Sequence, residues 1–169
     1  MSPRYEYYAL LTDFHPVLDG SNGIVRRWTD DAGQVHDERY SQRLLWESTR
    51  DLAMIENGEW QATACPIPEE AVEAYEAAKY ARVHADDPLD GKYSYFAQVE
   101  DNTSVDNPTS VIRMWTAPNG HKQEQQHIGG PGYAWEASYI QSDIYDGRNR
   151  GDLVPITEEA ATRIIESRE

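Results

Sequence analysis

The second half of this chain rewrites the first, and that duplication constrains the fold more than any other feature. Residues 4–13 (RYEYYALLTD) align with residues 92–101 (KYSYFAQVED), placing Tyr5/Tyr93, Tyr7/Tyr95, Tyr8/Phe96, Ala9/Ala97 and Asp13/Asp101 in register. Residues 23–29 (GIVRRWT) align with residues 110–116 (SVIRMWT), pairing Arg26 with Arg113 and Trp28 with Trp115. From Trp46 a constant offset of 89 runs without gaps, matching Trp46-Glu47 with Trp135-Glu136, Pro66-Ile67 with Pro155-Ile156 and Glu69-Glu70-Ala71 with Glu158-Glu159-Ala160. The offset changes only in polar, turn-rich segments, where insertions are tolerated. The units are residues 1–84 and 92–169, joined by a linker at 85–91 (ADDPLDG).

Each element must satisfy both copies. Residues 5–12 and 93–100 are aromatic-rich and read as strands, as do the β-branched stretches 23–30 and 110–116. Asp30-Asp31-Ala32-Gly33 and Ala117-Pro118-Asn119-Gly120 are hairpin turns leading to third strands at 34–40 and 121–128. Thr49 and Ser138 are placed to cap a short helix, and a fourth strand falls at 62–67 and 152–156. Each copy ends in a helix opening on Glu-Glu-Ala, where carboxylates favour the positive end of the helix dipole. Thr157 reads as the N-cap of the second such helix, and Pro68 as the first helical residue of the other. The expected buried faces carry Val72, Tyr75 and Ala78 or the stem of Lys79, then Ile164 and Ile165. The fold class is therefore α+β: two tandem repeats, each a small, mostly antiparallel sheet of about four strands with a short helix and a C-terminal helix. A unit of about 80 residues buries only about 60–65 % of its unfolded surface, so the repeats are expected to pack together with pseudo-twofold symmetry.

Composition narrows the function classes. Of 169 residues, 15 are Lys or Arg and 30 are Asp or Glu, a formal net charge of -15 that opposes direct binding to nucleic acid or an anionic membrane. No stretch approaches the ~20 apolar residues of a membrane span, and the N-terminus lacks a signal-peptide layout, so a cytoplasmic protein is expected. Cys65, the sole cysteine, excludes an internal disulfide and any multi-cysteine metal site. It aligns with Val154 and reads as a small buried residue rather than a nucleophile.

The combined pattern is YYAL, a short acidic loop, Gly followed by two aliphatic residues and arginine, a lone Trp beyond the next strand, and Ile-(Ser/Thr)-Glu-Glu-Ala opening a helix. It resembles short uncharacterised proteins of actinobacteria and their phages, which usually hold one copy of the unit. The resemblance covers nearly the whole chain as two copies and implies no activity. In that group a Gly-Asp precedes the last strand; Gly151-Asp152 follows the pattern, whereas Ala62-Thr63 departs from it.

Few residues point to chemistry. None of the five histidines (His15, His36, His84, His121, His127) aligns with another, and no helical His pair or third ligand accompanies them, so no metal site and no cofactor are expected. The acidic runs match no calcium loop, and phosphate-loop, dinucleotide and nucleophile-elbow motifs are missing. The notable pair is Arg26 and Trp28, repeated as Arg113 and Trp115. Alternation in a strand puts both members on one face. An arginine among large apolar residues needs a carboxylate or an aromatic face, and the recurring acids Asp13/Asp101 and Glu47/Glu136 are the expected partners. Either the pairs orient the sheet internally, or they line a groove that grips an anionic or aromatic group.

The reading favoured by these residues is a non-catalytic protein-interaction module, a phage or host regulator or inhibitor binding a basic partner protein through Trp and Tyr anchors. The alternatives are a small-ligand binder or enzyme with its site between the repeats, and an acidic nucleic-acid mimic.

Overall fold

The computed structural model describes residues 3–18 and 23–168 and divides the chain into two compact units, Met1–Val83 and His84–Glu169. Both are α+β. Unit one runs β1 (Glu6–Leu11), β2 (Ile24–Thr29), β3 (Val35–Tyr40), β4 (Trp46–Ser48), α1 (Asp51–Glu56), β5 (Thr63–Ile67) and α2 (Glu69–Val83). Unit two repeats this order as β6 (Ser94–Val99), β7 (Ser110–Thr116), β8 (Lys122–His127), β9 (Trp135–Ala137), α3 (Ile140–Tyr145), β10 (Asp152–Ile156) and α4 (Glu158–Glu166). The sheets are antiparallel and correspond strand for strand, in the orders β4-β3-β2-β1-β5 and β9-β8-β7-β6-β10. Each sheet has five strands rather than four, because the three-residue β4 and β9 join one edge. The linker residues divide with the second unit: the Trp115 indole N–H donates to the Asp86 carbonyl, and the His84 ring meets the Tyr133 ring edge-on at 5.3 Å.

Register defines two faces per sheet. One carries the C-terminal helix: Ile24, Tyr40 and Val72 form a buried cluster in unit one, and Val111, Ala161 and Ile164 form its counterpart. In α2 the stem of Lys79 is buried as expected, and its ammonium donates to the Tyr40 carbonyl at 3.1 Å. In α4, Ile164 is buried with Ala161, while Ile165 is only partly covered. Thr157 is the N-cap, accepting from the Ala160 N–H at 3.2 Å. Pro68 stands one residue before α2, in the place of Thr157, and contributes only its carbonyl, to Ala71 and Val72. The position thus lies outside the helix rather than at its first residue.

The other face carries the short helix. In unit one Leu10, Val25 and Leu52 form the cluster, flanked by Tyr8, Ile55 and Trp60. Thr49 and Ser138 sit one residue ahead of the N-caps Arg50 and Tyr139, and their hydroxyls accept from the Asp51 and Ile140 N–H groups. Gly151 has φ +115°, and a Cβ there would lie 2.6 Å from the Val99 carbonyl oxygen, which explains glycine at the entrance to β10.

Candidate functional site

On the C-terminal-helix face, Tyr7, Arg26 and Glu38 lie side by side across β1, β2 and β3, as do Tyr95, Arg113 and Gln125 across β6, β7 and β8. Arg26 Nε donates to Glu38 at 2.6 Å, and the guanidinium lies over the rings of Tyr5 and Trp46 at 4.3 and 4.6 Å. Arg113 is 8 % exposed and, among the described residues, has no carboxylate partner. Its Nε and Nη2 donate to the Gln125 side-chain oxygen at 2.9 and 2.5 Å, and Nη2 also donates to the Tyr133 hydroxyl at 3.0 Å. Tyr93 and Trp135 each lie 4.4 Å from the guanidinium. A weakly hydrated, planar cation suits such an aromatic cage better than an ammonium would.

The acids expected to hold these arginines do not. Glu47 is register-paired with Arg39 and Glu136 with Gln126, which puts both on the opposite face of the sheet. Asp13 and Asp101 lie in turns beyond β1 and β6. The partner is instead the residue directly across the neighbouring strand, Glu38 in one copy and Gln125 in the other.

The tryptophans also differ between copies. Trp115 satisfies its N–H on the linker, whereas the buried Trp28 N–H has no acceptor among the described residues. Trp28 stacks on His36 at 4.3 Å, and His36 is hydrogen-bonded to Asp30 at 2.9 Å, which holds the Asp30 carboxyl below its usual range. Beside Arg113, burial pushes the Tyr93 phenol up to about 12.

The larger divergence lies under the short helix. In unit one, Arg27 donates to both oxygens of Asp37 at 2.7 and 2.8 Å and to Glu56 at 2.7 Å. Those two carboxylates hold its guanidinium more firmly protonated than usual, Asp37 foremost. Pairing register puts Met114 of β7 in the place of Arg27 and Glu124 of β8 in the place of Asp37. The apolar layer is altered as well. Leu10, Leu52 and Trp60 become Gln98, Gln141 and Asn149, and Gln98 is only 3 % exposed. On the same face of the sheet a cavity of about 420 Å³ opens beside Met114 and Glu124, lined also by Phe96, Lys122, Tyr139 and Gln141 among others. Glu124 Oε1 accepts from the Ser138 hydroxyl and the Ile140 N–H, both at 2.7 Å, so the carboxylate closes the start of α3.

Among the described residues no three His, Cys, Asp or Glu side chains gather as a metal site, and no helix is long and apolar enough to cross a membrane. Cys65 sits in β5 opposite Ala9, partly buried. The cavity was not among the sequence expectations. Its signal was the contrast of Arg27 with Met114 inside otherwise matching strands. Comparison with protein-family models, with curated proteins and with solved structures finds no match.

Proposed function

We propose that the protein is a non-catalytic interaction module whose binding surface is the α3 side of the second unit and whose partner is a basic protein. The observation that carries this reading is a cavity lined by a bare aromatic, Tyr139, on a short helix that ends in another: Tyr139 and Tyr145, at the two ends of α3, are 73 % and 91 % exposed. Tyrosine joins a large apolar ring to a polar tip and is enriched where interfaces are anchored. A net charge of -15 favours encounter with a cationic partner and raises the association rate at low salt. In this reading Arg26, Trp28, Arg113 and Trp115 are framework, fixing each sheet against its edge strands while the second copy carries the surface.

A photo-crosslinking residue placed at position 145 tests this in the cells that make the protein, with position 80 of α2 as the comparison, because Tyr80 is also exposed. The expected outcome is a discrete crosslinked protein from position 145 that Tyr139→Ala diminishes. Equal products from both positions, or none from position 145, would overturn it.

A further inference from the structure

We infer that the cavity beneath α3 is a receptor for a guanidinium group, and that its occupant is an arginine side chain of the basic partner. This rests on the interaction reading and adds the chemistry by which that surface selects. The duplication supplies the template. Unit one fills the same place with its own Arg27, held bidentately by Asp37 and again by Glu56. Unit two keeps an acid at the Asp37 position, as Glu124, but replaces the arginine with Met114, and Tyr145 stands where Glu56 stands. The cation has gone and its acceptor remains beside a cavity of about 420 Å³, large enough for a side chain to enter.

The lining suits arginine in both of its parts. Phe96 and Met114 offer apolar wall to the three-carbon stem, and long cationic side chains bury such stems readily. For the head group, Glu124 Oε1 is taken by Ser138 and α3, whereas among the described residues Oε2 accepts only the longer 3.2 Å bond from the Gln141 N–H. That oxygen has lone pairs free for a charge-assisted hydrogen bond. Lys122 is the one cation among the lining residues, and it is exposed at the first position of β8. The guanidinium therefore seats on the Glu124 side, away from the ammonium. A fork of N–H donors matches a carboxylate whose other oxygen is already engaged better than a lysine's point charge does.

Calorimetric titration with N-acetyl-arginine methylamide, its lysine counterpart and a short arginine-rich peptide tests this on the full chain. The arginine amide should bind saturably and more tightly than the lysine amide. Glu124→Gln, which keeps an acceptor for α3, should weaken it about tenfold, as expected for losing a charge-assisted bond. Met114→Arg should abolish binding by supplying the guanidinium in place, with an unchanged circular-dichroism spectrum showing that the variant folds. Lys122→Ala should tighten binding. Absence of saturable binding, or binding indifferent to Glu124→Gln and Met114→Arg, overturns the inference. So does an arginine amide that binds where the arginine-rich peptide fails to compete, which would make the cavity a small-molecule site. If no probe binds yet position 145 still crosslinks to one protein, the guanidinium receptor falls while the interaction reading stands.

Discussion

The two tryptophans that follow the caged arginines occupy one position in two copies yet face opposite hydrogen-bonding situations. Trp115 donates to a backbone carbonyl of the linker; the Trp28 N–H is buried without an acceptor among the described residues. A buried unsatisfied donor costs about 1–3 kcal/mol, so replacing Trp28 removes a penalty that replacing Trp115 does not. Chemical denaturation should show Trp28→Phe destabilising by at least about 1 kcal/mol less than Trp115→Phe; equal losses would contradict the difference in satisfaction. Tyr93 gives a pH-dependent counterpart. Burial raises its phenol from 10.0 to about 12 in the folded chain, so between those values the unfolded state releases a proton that the folded state keeps. Stability is therefore unaffected by this group below pH 10 and falls as pH rises from 10 towards 12. Tyr93→Phe should make alkaline unfolding shallower in that window. Burial also raises Tyr7, Tyr8, Tyr40 and Tyr95, so part of the slope will persist. An identical slope in the variant would show that the Tyr93 phenol titrates normally.

The short helices show how the same topology accommodates two different sets of side chains. α1 packs its own Leu52 onto Leu10 and Val25, whereas the matching positions of the second unit are Gln141 on α3, which is exposed, with Gln98 and Ile112 in the sheet. Leu10→Ala should cost the first unit about 2–5 kcal/mol, the range for opening a core cavity, while Gln98→Ala should cost about 1 kcal/mol or less. Comparable losses at the two positions would mean that the α3 layer is as tightly packed as its counterpart. The same contrast explains how far the elements could be read in advance. Strands, turns and terminal helices were legible because alternation, turn chemistry and Glu-Glu-Ala openings occur twice. The edge strands β4 and β9 were not, since three residues cannot display a period. The arginine partners were missed for a different reason: recurrence between copies favoured Glu47/Glu136, but pairing register decides which side chains share a face. The true partner changes from Glu38 to Gln125. Where the copies agree they report the fold; where they differ, as at Arg27 and Met114, they locate the cavity beside Met114.

At the scale of the whole chain, duplication explains why one copy can lose core and charge pairing without loss of the shared topology. Both sheets keep five strands in corresponding order, so the framework tolerates an amide-rich layer and an open cavity on one of its faces. The surplus of 15 negative charges extends beyond any one contact. It should make association with a cationic peptide slow markedly as salt rises, because exposed charges are screened within about 10 Å at 0.1 M ionic strength. The most direct test of this division of labour is a backbone-amide NMR titration of the intact chain with an arginine-rich peptide. Shifts should concentrate at Phe96, Met114, Glu124 and Tyr139, while Tyr8, Arg27, Asp37 and Arg50, the same places in the other copy, stay still. Equal perturbation of both sets, or movement confined to the first, would contradict it.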